Sequence, residues 1–221
     1  MSKSKGNVVN PDDVVAEIGA DAFRMYEMFM GAFDQAIPWS TTGAAGCRKF
    51  IERVWRLQGS LTDDEGLSDD LKASVHATIK KVSEDYDTLK FNTAIAQMMT
   101  LVNEIVQKGS VTKGEYKTLL LLLNPVAPHF TEELWELCGF GAPIYTQSWP
   151  EYDEAAMVKD EVEIAIQING KIRGRIMVPA SLTRDQADTL REHPDVVKTV
   201  GDKQIVKFIF VPGRLLNIVV K

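Results

Sequence analysis

Apolar residues recur at the spacing of an α-helix from the start of the chain to about residue 140. Asn10 before Pro11 is typical of a helix start, and Gly19 ends that helix. An acidic break at 62–66 and a glycine at 109 end later helices. Short loops between the helices after residue 41 indicate an antiparallel bundle. The pattern predicts helices over 11–18, 21–31, 42–58, 69–86, 91–106, 112–123 and 131–138.

Some of these helices carry further expectations. The helix over 21–31 is apolar on nearly every side, which predicts that it is buried. Ser68 precedes two acidic residues, and we expect its side chain to cap the helix over 69–86. Thr131, followed by two glutamates, is the expected start of the last helix.

The hydrophobic period changes to two after residue 160. Val162, Ile164 and Ile166 alternate with polar or small residues, which predicts a half-buried strand before a hairpin at Asn169-Gly170. A two-residue turn would place this apolar row on the face of the basic residues at 171, 173 and 175. We therefore expect a three-residue loop with Gly170 in a bulge, pairing 166 with 172, 162 with 176, and Glu163 with Arg175.

One helix and a second hairpin complete the predicted tail. Residues 183–186 match a capping box, which predicts a helix to about Glu192. Two further strands, 205–211 and 215–220, flank Pro212-Gly213. The predicted fold is mainly α, with a small α+β (ββαββ) domain at the end. The domains are a loop with connecting helices over 1–40, the helical bundle over 41–150, a linker over 151–160 and the α+β domain over 161–221.

Length and composition narrow the class of protein. With 221 residues, 45% hydrophobic and 25% charged, the chain has the composition of a globular protein of one or two domains. Its apolar runs are shorter than the roughly 20 residues that span a bilayer, and its start lacks the apolar segment of a signal peptide. We expect a cytoplasmic protein with no membrane partner. Cys47 and Cys138 lie far apart, so we predict no disulfide and no metal site.

The net charge of −6 is unevenly distributed. Residues 1–158 contain 14 basic and 23 acidic side chains, whereas residues 159–221 contain 11 basic and 8 acidic ones. The acidic total argues against a general nucleic-acid binder, and we expect no DNA partner, because phosphate binding needs clustered cations. The basic tail indicates a partner different from that of the rest of the chain.

Residues suited to catalysis are sparse. We find no nucleophile with a base, no carboxylate pair and no metal cluster at convincing spacing. His76 and His129 are isolated, which favours surface or helix-terminal roles. Lys3 and Lys5 among small residues suit a loop that contacts polyphosphate, although any polar terminus rich in Ser and Lys looks the same.

Four segments resemble class I aminoacyl-tRNA synthetases. The start, Met-Ser-Lys-Ser-Lys-Gly-Asn, is similar to the KMSKS signature of that family without its first lysine. Residues 19–24 resemble the turn after the signature loop, 91–96 the helical tRNA-binding domain, and 124–135 its late helix. The late helix is shared by the leucine, isoleucine, valine and methionine enzymes, so it indicates the subclass and not the amino acid.

Other segments are similar to the leucine-specific enzymes of bacteria. Residues 166–174 resemble their C-terminal domain, and residues 28–39 are also leucine-like. An isoleucine enzyme would end in a cysteine-rich zinc module and a valine enzyme in a long charged coiled coil, and the sequence has neither. The resemblance covers essentially all 221 residues and implies the C-terminal part of a leucyl-tRNA synthetase, beginning inside the signature loop.

The resemblance also implies roles for the first residues. Lys3 matches the second lysine of the signature, which contacts ATP and stabilises the charge that develops on its phosphates. Met1, Ser2 and Ser4 match loop positions that shape and close the loop. ATP, with Mg, is implied as a substrate of the intact enzyme and not as a ligand of this part alone. Because the nucleotide-binding fold is missing, we expect the chain alone to show no leucine-dependent ATP/pyrophosphate exchange.

Docking of leucine tRNA by a monomeric chain is the function that the resemblance implies for the chain itself. Alternate residues on a strand lie about 6.6 Å apart, within a factor of two of the phosphate spacing of nucleic acid. Charged rows on outer strand faces are also common in proteins that bind no RNA. The predicted tRNA contacts are Arg48, Lys49, Arg53 and Arg56 on one helix and Lys171, Arg173 and Arg175 on one strand face.

Two alternatives stay open at this point. The chain could be a stand-alone helical RNA-binding or adaptor protein, which a true start at Met1 would favour. It could also be a fragment of a valine or isoleucine synthetase, which selective binding of those tRNAs would favour.

Overall fold

A computed structural model describes residues 8–32, 34–157, 161–180, 182–201 and 203–221. The chain divides into two compact units, residues 1–157 and 158–221. The first unit is helical and the second contains a four-stranded sheet, so the predicted mainly α class with a small α+β domain is confirmed.

Every helix predicted before residue 140 is present in the first unit. The helices are α1 (Pro11–Ile18), α2 (Ala20–Phe29), α3 (Thr41–Arg56), α4 (Asp69–Asp87), α5 (Phe91–Lys108), α6 (Lys113–Leu123) and α7 (Pro128–Leu137). The core lies where α2, α3, α4, α5 and α6 pack against one another. Its fully buried side chains include Met25, Val54, Val75, Met98, Val102, Leu119 and Leu134.

Two details of these helices differ from the sequence prediction. Helix α2 is buried on the side of Met25 and Tyr26, whereas Arg24 and Glu27 are exposed, so the expectation that this helix is buried holds for one side only. Helix α7 begins at Pro128 and not at Thr131. Proline is favoured in a first helical turn because its missing N–H would be unpaired there in any case.

An aspartate that is distant in sequence caps the start of α7. Asp21 of α2 accepts the backbone N–H of Phe130 at 2.6 Å and contacts Nδ1 of His129 at 2.7 Å. The side chain of Asp21 is 9% exposed, so these bonds are largely shielded from water. The cap that fixes the start of α7 therefore comes from more than a hundred residues away, which local sequence does not indicate.

The buried carboxylate of Glu115 joins the ends of three helices. It accepts the N–H of Ser68 at 3.1 Å, before α4, and the N–H of Thr112 at 2.9 Å, before α6. The Nζ of Lys108, in the last turn of α5, lies 3.2 Å from it. The hydroxyl of Ser68 also donates to Glu115, so the expectation that this side chain caps α4 is wrong.

The loop over 62–66 is held closely against α6. The hydroxyl of Thr112 donates to the carbonyl of Gly66 at 2.6 Å. A Cβ at Gly114 would lie 2.5 Å from that same carbonyl oxygen, closer than real contacts permit. Glycine at this position is therefore required by the approach of the loop, which brings Ser68 to Glu115.

The second unit contains a sheet with the order β2-β1-β4-β3. Its strands are β1 (Glu161–Ile168), β2 (Lys171–Pro179), β3 (Ile205–Val211) and β4 (Leu215–Val220). The hairpins β1–β2 and β3–β4 are antiparallel, and β1 is parallel to β4. One face carries the core, which includes Ile164, Ile166, Ile176, Leu216 and Ile218.

The β1–β2 turn has two residues, so the predicted three-residue loop is wrong. Asn169 and Gly170 have φ values of 48° and 80°, as in a type I′ turn, and Ile168 pairs with Lys171.

A bulge in β2 restores the apolar alignment that such a turn would disrupt. Gln167 pairs with Ile172 but Ile166 pairs with Gly174, which leaves Arg173 as an extra residue. The predicted pairings of 166 with 172 and of 162 with 176 are therefore wrong, since Val162 pairs with Val178. The extra residue lies within the strand and not in the loop.

The tail has two helical segments where one was predicted. A 3₁₀ helix over Arg184–Glu192 begins at the predicted capping box, in which Gln186 accepts the N–H of Thr183 at 3.2 Å. A further helix, α8 (Pro194–Val200), was not predicted. Val196 and Val200 of α8 are buried against the sheet, together with Leu190.

The boundary between the units falls inside the predicted linker. Residues 151–157 belong to the first unit, and Ala155–Met157 forms a short 3₁₀ helix that packs on α4. Within the described residues no helix has the length and apolar content needed to cross a bilayer.

Glu115→Gln is expected to lower the free energy of unfolding by about 2–4 kcal/mol, because the amide cannot accept from all the donors that face it. Burial alone would raise the pKa of Glu115, but hydrogen bonds from Ser68, Thr112 and Lys108 outweigh it and lower that pKa. The stabilisation is then present above the ordinary carboxyl pKa of about 4.3 and is lost as pH falls through the lower folded-state pKa. Urea titrations at pH 7 and at pH 3 measure both effects.

Glu65→Gln is the matched control. Glu65 lies in the loop over 62–66 beside α6 but is 63% exposed, and it pairs with Lys113 and Lys117 on the surface. We expect little change in its denaturation midpoint at pH 7. If the two variants were equally stable at pH 7, Glu115 would not hold the helix ends together.

Candidate nucleic-acid interface

The predicted signature-loop residues cannot be placed. Met1, Ser2, Lys3 and Ser4 lie outside the described residues. The contact of Lys3 with ATP therefore stays a prediction.

The four predicted cations of α3 lie away from its buried face. Arg48, Lys49 and Arg56 are exposed and Arg53 is half-buried, whereas Val54 on the other face is fully buried. As the sequence periodicity predicted, these four cations share one surface of α3.

Most of these cations already have partners within the helical unit. Glu52 lies 3.0 Å from Nε of Arg48 and 3.9 Å from Nη2 of Arg56. Arg53 donates to Oδ1 of Asn103 on α5 at 2.5 Å. Lys49 has no ion pair among the described residues. The α3 surface is therefore a partly neutralised basic patch.

Five of the basic residues of the tail line one open cleft of about 870 Å³. Asp195 is the single acidic residue among the described residues that line it. The cleft lies beside β2, an edge strand with exposed side chains. Its five basic residues, here called the basic cleft, are Lys171, Arg173, Arg175, Lys198 and Lys203.

The turn before these strand residues is tied to β4. Asn169 accepts the N–H of Val220 at 3.0 Å through its side chain. Its own N–H donates to the carbonyl of Ile218 at 2.9 Å, and Gly170 donates to Asn217. The turn is thus fixed at three points, which sets the position of the basic part of β2.

The bulge changes how the cations of β2 are arranged. Lys171 pairs with Ile168 on the face of the sheet that carries the core, whereas Arg175 pairs with Ala165 on the opposite face. The expectation that Lys171, Arg173 and Arg175 share one strand face is therefore wrong. They still line the same cleft, which lies along this edge strand.

Lys198 and Lys203 complete the basic cleft, and the sequence reasoning missed both. Lys198 lies on α8, and Gly174 of β2 allows α8 to come close, since a Cβ there would lie 3.1 Å from Oγ1 of Thr199. A signal for α8 was present in the sequence. His193 before Pro194 and Asp195 is a helix start, and Nδ1 of His193 accepts the N–H of Asp195 at 3.3 Å.

An ion pair reduces the charge at one side of the basic cleft. Nη1 of Arg175 lies 2.8 Å from Oε2 of Glu163 on β1. The predicted contact between these residues forms diagonally, since Glu163 itself pairs with Met177. The side chain of Arg175 is 70% exposed, so it can also reach an anion in solvent.

The other reactive side chains that the structure describes form no catalytic site of their own. Burial raises the pKa of the Cys47 thiol to about 11, which keeps it protonated near neutral pH. His129 contacts Asp21 at a helix start, and His76 accepts a backbone N–H from Asp153. In the part of the chain that the structure describes, no three His, Cys, Asp or Glu side chains converge to hold a metal ion.

Comparison with protein-family models gives two matches. Residues 70–188 match the anticodon-binding domain of tRNA ligase, and residues 1–40 match the class I tRNA synthetases for I, L, M and V. The first match spans more than half of the chain. The chain belongs to the anticodon-binding domain family of tRNA ligases. The predicted kinship with class I aminoacyl-tRNA synthetases is thereby confirmed.

Relatives of the chain include longer proteins. The leucine–tRNA ligase of Alkaliphilus oremlandii (strain OhILAs) is 54% identical over 222 residues, which cover the whole chain but 28% of that protein. Among solved structures, the ternary complex of Agrobacterium radiobacter K84 agnB2 LeuRS, tRNA and LeuAMS matches with a TM-score of 0.70 and 33% identity. That match covers the whole chain and 31% of the solved one. The chain therefore spans less than a third of each relative.

Glu163→Gln is expected to increase binding of the polyanion heparin about two- to fivefold, because it frees Arg175 within the basic cleft. Glu52→Gln is the matched control, since it removes the same charge beside Arg48 and Arg56 on α3. Salt elution from a heparin column measures both. Equal effects would mean that net charge alone governs binding, and a larger effect of Glu52→Gln would favour the α3 patch.

Proposed function

We propose that this chain is the tRNA-binding C-terminal part of a leucine–tRNA ligase, which attaches leucine to its tRNA through a leucyl-adenylate made with ATP. The 54% identity to a leucine–tRNA ligase over the whole chain supports the choice of leucine. The observation that carries tRNA binding is the basic cleft, in which five cations converge in a chain of net charge −6.

The basic cleft suits a phosphate backbone better than a single small anion. Its cations come from a strand, from α8 and from residue 203, so they are spread along an open surface. Each cation that neutralises a phosphate releases counterions, which makes the binding strong at low salt and weak at high salt. Such contacts position a nucleic acid without reading its bases, so the selection of tRNA must depend on its shape or on other contacts.

Roles in the intact enzyme follow from the same proposal. Lys3, with Met1, Ser2 and Ser4, would close over ATP and stabilise the charge on its phosphates. ATP with Mg would be a substrate of the whole enzyme. The partner proposed for this chain is leucine tRNA, bound by a monomer in the cytoplasm through the basic cleft and the α3 patch.

Lys171→Glu with Arg173→Glu is expected to weaken tRNA binding at least about tenfold, since two charge-assisted contacts become repulsive. The slope of log affinity against log salt should become shallower by about two. Filter binding over a series of salt concentrations measures both quantities.

Lys207→Glu with Arg214→Glu provides the control. These exposed cations lie on the β3–β4 hairpin and are absent from the cleft lining, so the double variant has the same net charge as the first. We expect affinity and slope near those of the unchanged chain. Unchanged binding by the Lys171/Arg173 variant would remove the basic cleft from the interface.

Selectivity among tRNAs tests the choice of leucine. We expect the chain to bind leucine tRNA more tightly than valine or isoleucine tRNA in parallel filter-binding titrations. Preference for valine or isoleucine tRNA would support a fragment of that synthetase instead. Equal binding of all three would favour an RNA-binding adaptor, for which backbone contacts alone suffice.

A further inference from the structure

A small pocket opens on the side of α3 that faces α2 and α7. Its volume is about 300 Å³, at the lower limit for ligand sites, so it suits one planar ring system better than a larger molecule. The pocket, here called the indole pocket, has polar and aromatic side chains in its lining, which are Asp21, Arg48, Trp55, His129, Phe130 and Glu133.

Trp55 brings an aromatic ring without partners to the indole pocket. It is 37% exposed, whereas its neighbour Val54 is fully buried. The indole N–H groups of the other three tryptophans all donate to an oxygen, and their rings all contact another aromatic ring. The indole of Trp55 has neither kind of partner among the described residues. Because a tryptophan N–H usually finds a partner when its ring is partly buried, this ring is available to a ligand.

Asp21 fixes the imidazole of His129 at the same pocket. Nδ1 of His129 lies 2.7 Å from Oδ1 of Asp21, whose side chain is only 9% exposed and also accepts the N–H of Phe130. A carboxylate at Nδ1 keeps the proton of the neutral ring on that nitrogen, which leaves Nε2 as an acceptor. Nε2 has no partner among the described residues, and the His129 side chain is 74% exposed. The pocket therefore offers a hydrogen-bond acceptor in a set position.

Arg48 is held in place from two sides. Its Nη1 donates to the carbonyl of Ile18 at 3.3 Å, and its Nε donates to Glu52 at 3.0 Å. These two contacts fix the planar guanidinium before any ligand arrives, which lowers the entropic cost of binding. Guanidinium planes and aromatic rings are the two surfaces on which proteins stack unpaired RNA bases.

The charges around the indole pocket favour an uncharged ligand over a phosphate. Arg48 is the single lysine or arginine among the described residues that line it, and Glu52 already pairs with it. Asp21 and Glu133 add negative charge. Phosphate binding needs clustered cations, as in the basic cleft, whereas a nucleobase is uncharged and has a flat face and a polar edge.

The indole pocket is continuous with the α3 patch. Arg48 belongs to both, and Arg56 of the patch directly follows Trp55. An RNA whose backbone lies on the α3 patch therefore has its bases within reach of the pocket. Bases in a stem are paired and stacked, so a base that enters must come from a loop or another single-stranded segment.

We propose that the indole pocket binds one unpaired nucleobase of RNA, which stacks on Trp55 and bonds through its edge to Nε2 of His129. The indole N–H lies in the plane of its ring and donates to an oxygen of the ribose or phosphate beside that base. This proposal rests on the proposed function in taking tRNA as the RNA. It adds a contact that depends on stacking and not on charge.

Trp55→Leu removes the aromatic face and keeps an apolar side chain on α3. We expect tRNA affinity to fall about five- to fiftyfold, as for the loss of one stacked base. Trp55→Phe keeps a stacking face, and its affinity should stay within about threefold of that of the unchanged chain. The slope of log affinity against log salt should be the same in all three proteins, because stacking releases no counterions. Filter binding over a series of salt concentrations measures affinity and slope.

Trp149→Leu is the matched control, since Trp149 is 40% exposed and contacts Ser83 of α4. We expect unchanged tRNA binding in this variant. The proposal fails if Trp55→Leu binds as the unchanged chain does, or if Trp149→Leu loses as much affinity. It also fails if Trp55→Leu makes the salt slope shallower, because Trp55 would then act through phosphate contacts.

Tryptophan fluorescence with an eight-nucleotide single strand of RNA tests the pocket without tRNA. The quenching in the unchanged chain minus that in Trp55→Phe reports on Trp55 alone. We expect this difference with the single strand and not with a duplex of the same length. Equal quenching by both, or by neither, would overturn the proposal. Quenching by the single strand without tRNA binding would refute the proposed function and leave the pocket, whereas tRNA binding that is insensitive to Trp55→Leu would do the reverse.

Discussion

The carboxylate of Glu115 is bonded to residues at the start of α4, the end of α5 and the start of α6. A buried carboxylate is costly unless all its acceptor positions are used, and here the hydroxyl of Ser68, two backbone amides and an ammonium use them. Any displacement of one helix end would leave charge or donors unpaired. The relative positions of these three helices, and with them the core between them, are fixed by this requirement.

The direction of α4 determines where the chain leaves the helical unit. Ser68 at one end of α4 is tied to Glu115, and His76, Lys80 and Ser83 further along present the line of partners that holds 149–157. A buried network with few alternatives therefore orients a surface that is held by weak contacts. Strong constraints at one end of the helix and weak ones along its outer face can coexist. A buried polar group that loses its partner stays unpaired, which costs free energy, whereas an exposed one can bond to water instead.

Local pattern was sufficient to predict most elements and insufficient for the contacts between them. The helices before residue 140 and the second hairpin follow from the period of apolar residues, which depends on near neighbours only. Ser68, which bonds to Glu115, and Asp21, which caps α7, lie far along the chain from the residues that they contact. Helix α8 has only seven residues, too few for a clear period.

The register of β2 shows how a correct physical argument can reach the wrong geometry. A two-residue turn does conflict with the alternation of apolar and basic residues, and the conflict requires one extra residue. Sequence alone does not say where that residue lies. In the structure the extra residue is Arg173. With the extra residue at that position, the turn keeps its favoured type I′ form and Ile166 remains in the core. The same choice distributes the cations around the edge of the sheet.

The candidate site depends on tertiary packing for a similar reason. Period two identified three cations of β2, but Lys198 and Lys203 join them only because α8 packs against Gly174. The period of α3 correctly placed four cations on one surface of the helix. It did not reveal that Glu52 and Asn103 pair with three of them. Counting charges along a single helix or strand therefore overestimates the free positive charge on α3 and underestimates that of the basic cleft.

Net charge is a poor guide to such a chain because screening limits how far each charge acts. At physiological ionic strength the Debye length is about 8 Å, so a charge farther away than this hardly affects an anion held among the cations of the basic cleft. As salt is lowered the Debye length grows, and the acidic residues oppose an approaching phosphate backbone while the cations attract it more strongly. The acidic total and the basic cleft are thus compatible: the first acts over long range and the second at contact.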